Sequence, residues 1–310
     1  MIYTCTLNPA VDYVVRVENF QTGDLNRSES ADLYAGGKGI NVSRLLKRLG
    51  HETCAIGFVG GFTGEFIKSE LDREGVFHRF TSVNGVTRIN VKLKSGTETE
   101  INGPTPTILE EESNRLVQLT GELTEHDWLH IGGSIPSCLP AEYAGTLIAT
   151  ARKKGARVVV DTSGAALKAL LPYHPFFIKP NHHELSELFN TNVNTKEEAA
   201  FMAKKLVDGG IENVIVSMGS DGAVFVNNES IYFATSPKGK VKNTVGAGDS
   251  MVAVFMAKID AGLESHEAFH WAVAAGSATA FSDDLCTKEE VEDVYSRVEI
   301  IKVEQEGWAH

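Results

Sequence analysis

Short apolar runs recur along the chain at residues 3–7, 54–59, 128–131, 158–160, 176–178 and 214–216. Each is too short for a stable helix, so the pattern predicts strands. Between many of them the apolar period changes to that of a helix. Val42, Leu45, Leu46 and Leu49 fall at i, i+3, i+4 and i+7, and Gly50 follows as a stop. Thr195 with Glu198, and Thr287 with Glu290, are capping boxes that open two further helices. Strands bounded by helices imply a mostly parallel sheet covered on both faces, an α/β fold in three layers.

Two regions break this rhythm. Residues 11–17 set Val11, Tyr13, Val15 and Val17 against Asp12, Val14 and Arg16. Residues 87–93 set Arg88, Asn90 and Lys92 against Ile89, Val91 and Leu93. Alternation of this kind predicts strands with one polar and one apolar face. A Ser95-Gly96 turn leads into another short strand, which Asn102-Gly103-Pro104 ends. These pieces, about 11–35 and 85–105, predict a small β-sheet lid inserted in one domain that spans 1–310. Its apolar face needs cover, which predicts a homodimer in which two lids pack together.

Composition narrows the function. The 310 residues are 42% apolar and 23% charged, with a formal net charge of −12. An acidic surface argues against nucleic acid and anionic membrane partners, though not against a small anion held by local cations. Cys5, Cys54, Cys138 and Cys286 have no metal-site spacing. No uncharged run reaches the roughly 20 residues that span a bilayer, and the expected location is the cytoplasm.

The strongest chemical signal is NTVGAGDS at 243–250, set before a helical run at 251–261. Gly246 and Gly248 permit a tight turn whose N–H groups converge on one anion, and the helix adds its positive end. Asp249 in the first turn can take a proton from an incoming hydroxyl. That combination suits phosphoryl transfer. The alternative is a plain Gly-rich turn with Asp249 as a cap.

The run GAGD at 246–249 resembles the C-terminal signature of the ribokinase-like, or PfkB, carbohydrate kinases. The run GGKG at 36–39 with Asn41, and GFVGGFTG at 57–64, are similar to the family's N-terminal signature and its continuation. The resemblance covers essentially the whole chain and implies a ribokinase-like αβα sandwich with ATP as co-substrate and Mg2+ as cofactor. It implies Asp249 as base and Gly246, Ala247 and Gly248 as anion hole. Asp12, Gly37, Lys38 and Asn41 would line the sugar site. Residues 6–12, 87–93 and 98–104 resemble the members that phosphorylate fructose 1-phosphate, with tagatose 6-phosphate as the alternative substrate.

Arg88 and Lys92 are two cations on one face without an interleaved acid. They read either as a solvated strand face or as a clamp for a substrate phosphate, with Arg the better bidentate partner. Asn90 joins them in the substrate set, and Arg27 is a weaker candidate. Asn181 and Glu184 resemble the family's Asn-x-x-Glu motif for magnesium, mostly through water; helix capping explains the same residues. His182 and His183 are expected to point apart, which excludes a transition-metal site. Ser217, Met218, Gly219, Ser220, Asp221 and Gly222 follow a strand at its carboxyl end and would contact ATP. Asp161 reads as structural. Two rivals stay open. A dinucleotide-binding dehydrogenase would use 57–64, although the spacing is not GxGxxG and the first strand ends in Asn8-Pro9; there is no Walker A motif either, since Gly39 follows Lys38. A non-catalytic sugar-phosphate sensor could share the fold.

Overall fold

The computed structural model describes residues 1–304. The first third of the chain holds β1 (Ile2–Thr6), β2 (Ala10–Arg16), β3 (Ser30–Gly36), α1 (Lys38–Arg48), β4 (Thr53–Val59), α2 (Gly61–Arg73), β5 (Phe77–Ser82), β6 (Ile89–Ser95) and β7 (Thr97–Asn102). The middle holds α3 (Glu110–Thr120), β8 (Trp128–Gly132), α4 (Tyr143–Lys153), β9 (Arg157–Asp161), α5 (Gly164–Leu170), β10 (Phe177–Ile178), α6 (His182–Phe189) and α7 (Lys196–Asp208). The remainder is β11 (Asn213–Ser217), β12 (Ala223–Asn227), β13 (Ile231–Ala234), α8 (Ala247–Asp260), α9 (Ser265–Phe281), α10 (Lys288–Tyr295) and β14 (Ile300–Val303).

The expected strands all form, with ends moved by a residue or two. Helix α1 starts at Lys38, four residues before Val42, the first of its apolar stripe, and α8 starts at Ala247 rather than 251. Both capping boxes are present: Thr195 accepts from the Glu198 amide, and Thr287 accepts from the Glu290 amide.

Ten strands make the main sheet in the order β14-β13-β12-β11-β10-β9-β8-β1-β4-β5. From β11 to β5 the neighbours are parallel. β12, β13 and β14 extend one edge antiparallel. Alternate side chains feed two cores. Val158, Val160, Val214 and Val216 point to the layer of α3, α4, α5, α6 and α7. Val159 and Ile215 point to the layer of α1, α8, α9 and α10. Val42, Leu45 and Leu46 of α1 are fully buried there, each contributing roughly 1.5–3 kcal/mol. Residues 249–257 of α8 are buried all round because the sheet lies beneath the helix while α1 and α9 flank it.

A separate four-stranded sheet has the order β3-β2-β6-β7. Its register places Asp12 opposite Asn90 and Asn90 opposite Asn102. Tyr13, Leu33, Val91 and Ile101 form the corresponding row on the opposite face. Thr87 ties the entry of β6 to the start of α2: its hydroxyl accepts from the Gly60 amide at 2.9 Å, and its carbonyl accepts from the Thr63 hydroxyl at 2.8 Å. This clasp seats the polar face beside the carboxyl ends of the parallel strands, where open α/β sheets bind ligands.

The Gly-rich run at 57–64 is not a dinucleotide loop. Gly57, Phe58 and Val59 lie inside β4, and only Gly60 and Gly61 form the turn into α2. Gly57 holds φ at 140°, and a Cβ there would collide with the Thr6 carbonyl of the neighbouring strand. Backbone strain and overlap act together in a strand with no exposed residue. Gly57→Ala is expected to cost at least about 2 kcal/mol, read as a lower urea midpoint at unchanged slope; a midpoint equal to wild type would show that β4 adapts freely.

Candidate active site

Between the polar face of the small sheet and the carboxyl ends of β1 and β8 lies a pocket of about 320 Å³. Asp249 and Gly246 reach it from the head of α8, Gly37, Lys38 and Asn41 from α1, and Asp12, Arg88, Asn90 and Lys92 from the small sheet. Residues from Thr6 to Asp249, near opposite ends of the sequence, thus line one cavity.

Asp249 is 7% exposed. Asn41 donates through Nδ2 to its Oδ2 at 2.7 Å. Burial, and then the negative charge of Asp161, push its pKa up to about 6. Lys38, Asn41 and Lys179 act in the other direction. Gly246 carries the positive φ, 81°, that turns the chain into α8. Gly248 serves differently from expected: it lies within the helix, and a Cβ there would stand 2.9 Å from the Lys179 ammonium. The missing side chain makes room for that cation. Ser250 donates its amide to the Gly246 carbonyl at 2.8 Å.

Asp161, read from the sequence as structural, takes part in a buried ion pair. Its Oδ1 accepts from Lys38 Nζ at 2.9 Å, and it is 2% exposed. Burial raises its pKa, but Lys38 and Lys179 outweigh that and hold it down to about 2. Burial would lower the Lys38 pKa, yet Asp161 and Asp249 more than offset it and raise it. The position of Asp161 at the carboxyl end of β9 was the available signal. Lys179, Asn8 and Ser134 were also missed. Asn8 is a hub: its Nδ2 donates to Ser134 Oγ at 3.1 Å, its Oδ1 accepts from Thr105 at 3.0 Å, and its carbonyl accepts from Arg88 at 3.2 Å.

The cations of the small sheet behave differently from one another. Lys92 is not free of acids as expected: its Nζ lies 3.3 Å from Asp12 Oδ2, while Asn90 Nδ2 donates to Asp12 Oδ1 at 3.2 Å. The acid comes from the adjacent strand, which a reading along one strand cannot see. Arg88 is half-buried with an unpartnered Nε, and burial lowers its pKa, an effect Asp12 partly offsets. Arg27 is exposed and outside the pocket.

Asn181 and Glu184 form a reciprocal cap on α6, Asn181 Oδ1 accepting from the Glu184 amide at 2.9 Å and Glu184 Oε2 accepting from the Asn181 amide at 2.8 Å. Among the described residues no group of three His, Cys, Asp or Glu side chains could enclose a metal. One acid and one amide suit a magnesium ion that keeps its waters. His182 and His183 do not point apart; their ring centroids are 3.9 Å from each other. The 217–222 loop leaves β11 beside α6, with the Ser217 amide donating to the Pro180 carbonyl at 3.1 Å. Gly219 and Gly222 take φ of 58° and 95°. The Met218 side chain is buried in the core, so only its backbone can meet a ligand.

The family pattern described as pfkB family carbohydrate kinase matches residues 5–291. The chain is 52% identical over 303 residues to a 1-phosphofructokinase of Bacillus subtilis (strain 168), covering 98% of this chain and all of that protein. It is 38% identical to a D-tagatose-1-phosphate kinase of Bacillus licheniformis, covering 97% of this chain and 99% of that one. The fold superposes with a TM-score of 0.90 on phosphofructokinase-2 from Escherichia coli in complex with substrates and products, at 32% identity, covering 95% of this chain and 98% of that one. No described helix is long and apolar enough to cross a membrane. The ribokinase-like architecture, the motifs at both ends and these matches agree: the chain belongs to the pfkB family of carbohydrate kinases and is an ATP-dependent sugar phosphotransferase.

Proposed function

We propose that the chain transfers the γ-phosphoryl of ATP to the 6-hydroxyl of fructose 1-phosphate, yielding fructose 1,6-bisphosphate and ADP. One observation carries the reading. A single pocket sets a buried carboxylate at a helix head, Asp249, against a wall bearing Arg88 and Lys92. A sugar bridging them needs an anion at one end and a free hydroxyl at the other. The 1-phosphofructokinase and D-tagatose-1-phosphate kinase relatives are both named for ketohexose 1-phosphates, which favours the 6-hydroxyl as acceptor. Tagatose 1-phosphate is the second reading; it differs only in configuration at C4. Tagatose 6-phosphate would have to bind reversed.

In this mechanism Asp12, held by Asn90 and Lys92, accepts sugar hydroxyls, and Arg88 takes the phosphate. Asn41 occupies one oxygen of Asp249 and leaves the other for the 6-hydroxyl proton. The free amides of Gly248 and Asp249 at the start of α8, with that of Ala247, which donates to the Thr244 carbonyl at 3.3 Å, cradle the moving phosphoryl beside Gly246. Lys179 adds charge behind Gly248. Ser217, Gly219, Ser220, Asp221 and Gly222, with the Met218 backbone, border the nucleotide. Magnesium would screen the phosphate charges, with Asn181 and Glu184 holding its waters. The small sheet acts as the lid, and its apolar face, with Ile101 at 60% and Leu33 at 50% exposure, packs on a second copy.

Asp249→Asn should lower kcat by about 100- to 10,000-fold with little change in KM for ATP; a near-normal kcat would remove Asp249 as base. The base works only when deprotonated, so a group with its pKa near 6 predicts kcat that rises with pH through that value and then levels. A kcat flat between pH 5 and 8 would contradict the assignment. Arg88→Ala should raise KM for the sugar phosphate at least about tenfold more than KM for ATP. In a substrate panel scored by ADP release, fructose 1-phosphate should exceed tagatose 6-phosphate by at least about tenfold in kcat/KM; the reverse order would replace the substrate and leave the base standing. Light scattering at micromolar concentration should give twice the chain mass, and a lone monomer would refute the lid contact.

A further inference from the structure

Helix α1 carries a second stripe besides its apolar one. Asn41, Arg44 and Arg48 lie at i, i+3 and i+7, and so share one face. Asn41 holds Asp249. Arg44 donates through Nε to Glu74 at 2.6 Å and through a terminal nitrogen to Asp284 at 2.9 Å. Arg48 repeats both contacts, at 3.2 Å to Glu74 and 2.7 Å to Asp284, and also donates to the Leu285 carbonyl. Glu74 caps α2 and Asp284 sits in the segment after α9, so two arginines bind two remote segments to one helix. The four charges balance and are mostly or partly shielded from water, the setting in which forked guanidinium contacts fix geometry.

The segment they hold lies directly under the turn that opens α8. A Cβ on Gly246 would stand 2.5 Å from Leu285 Cδ2, and Leu285 is 5% exposed. Asn243 donates to the Asp283 carbonyl at 3.3 Å, and its own Oδ1 accepts from the Val245 amide at 3.1 Å. Contact therefore runs from Arg48 through Leu285 to Gly246 without a gap.

We propose that Arg44 and Arg48 are positioning residues for phosphoryl transfer: they index the Gly246 turn and its amides to the same helix that orients Asp249. Base and phosphoryl cradle share the head of α8, and holding both the turn and Asp249 against α1 keeps them on a common reference. The inference rests on the kinase mechanism above.

The test compares Arg48→Met, Arg48→Lys and Leu285→Ala with the control Lys47→Met, a neighbour on α1 whose ion pair goes to the exposed Glu52. Thermal unfolding checks each fold. For Arg48→Met and Leu285→Ala, kcat should fall on the order of 10- to 100-fold while KM for both substrates stays within about twofold, the signature of lost alignment rather than lost binding. Arg48→Lys should recover part of the loss, and the control should match wild type. Hydrogen exchange of the amides at 244–249 should quicken about tenfold in the first two variants, a readout that needs no sugar. Wild-type kcat in both variants, a loss confined to KM, or unchanged exchange at 244–249 would overturn the proposal. If Arg48→Met fails to fold, Leu285→Ala and Arg48→Lys decide. Should the wild-type chain turn over no ketohexose phosphate, the proposed reaction fails by itself, and the exchange measurement still decides the positioning role.

Discussion

The proposed reaction depends on keeping a carboxylate basic while it is buried. Desolvation disfavours the charged form of Asp249, and Asp161 adds repulsion. A direct ion pair would restore the charge but quench the base. The protein instead gives Asp249 a neutral partner, Asn41, and keeps Lys38 on Asp161. The positive end of α8 and the nearby Lys179 supply the remaining compensation at a distance. The result is a carboxylate that is ionised near neutrality and has one oxygen unclaimed.

That arrangement explains features otherwise unrelated in sequence. Asp161 must be held anionic and fixed, and its pairing with Lys38 does this in a setting where removal of one partner would leave a buried charge. Gly248 must lack a side chain so that Lys179 can approach the helix head. The ion cluster on α1 extends the same logic outward, because a base aligned to a mobile cradle would gain little. The core beneath is ordinary apolar packing that makes α1, α8 and the sheet rigid enough for such alignment.

The sequence disclosed the architecture through periodicity: strands at period two, α1 at its helical stripe, and capping boxes at Thr195 and Thr287. It missed the antiparallel edge of β12, β13 and β14. Site residues with a local signature were legible, such as the Gly246 turn with Asp249. Those defined by contacts across strands or helices were not. Lys92 seemed free because its partner, Asp12, lies about 80 residues earlier on a neighbouring strand. Gly57 also fitted the rival dinucleotide loop because a close approach between strands and a tight turn both demand glycine. His182 and His183 seemed divergent because helical spacing was applied at the very first turn, where side-chain rotamers can still bring adjacent rings together.

The small sheet shows how much one register must satisfy. Asp12, Asn90 and Asn102 stand in one row across three strands on the pocket side. Tyr13, Leu33, Val91 and Ile101 stand in the adjacent row on the other side. With a side-chain period of two, a slip of one residue in β6 would turn Asn90 and Lys92 outward and drive Val91 into the pocket. The same slip would bring charge onto the apolar face. The proposed sugar recognition and the proposed cover for that face therefore cannot vary independently, because they are the two sides of one pleat. The Thr87 clasp at the head of β6, bonded to Gly60 and Thr63 of the main body, sets the strand at the point where such a slip would begin.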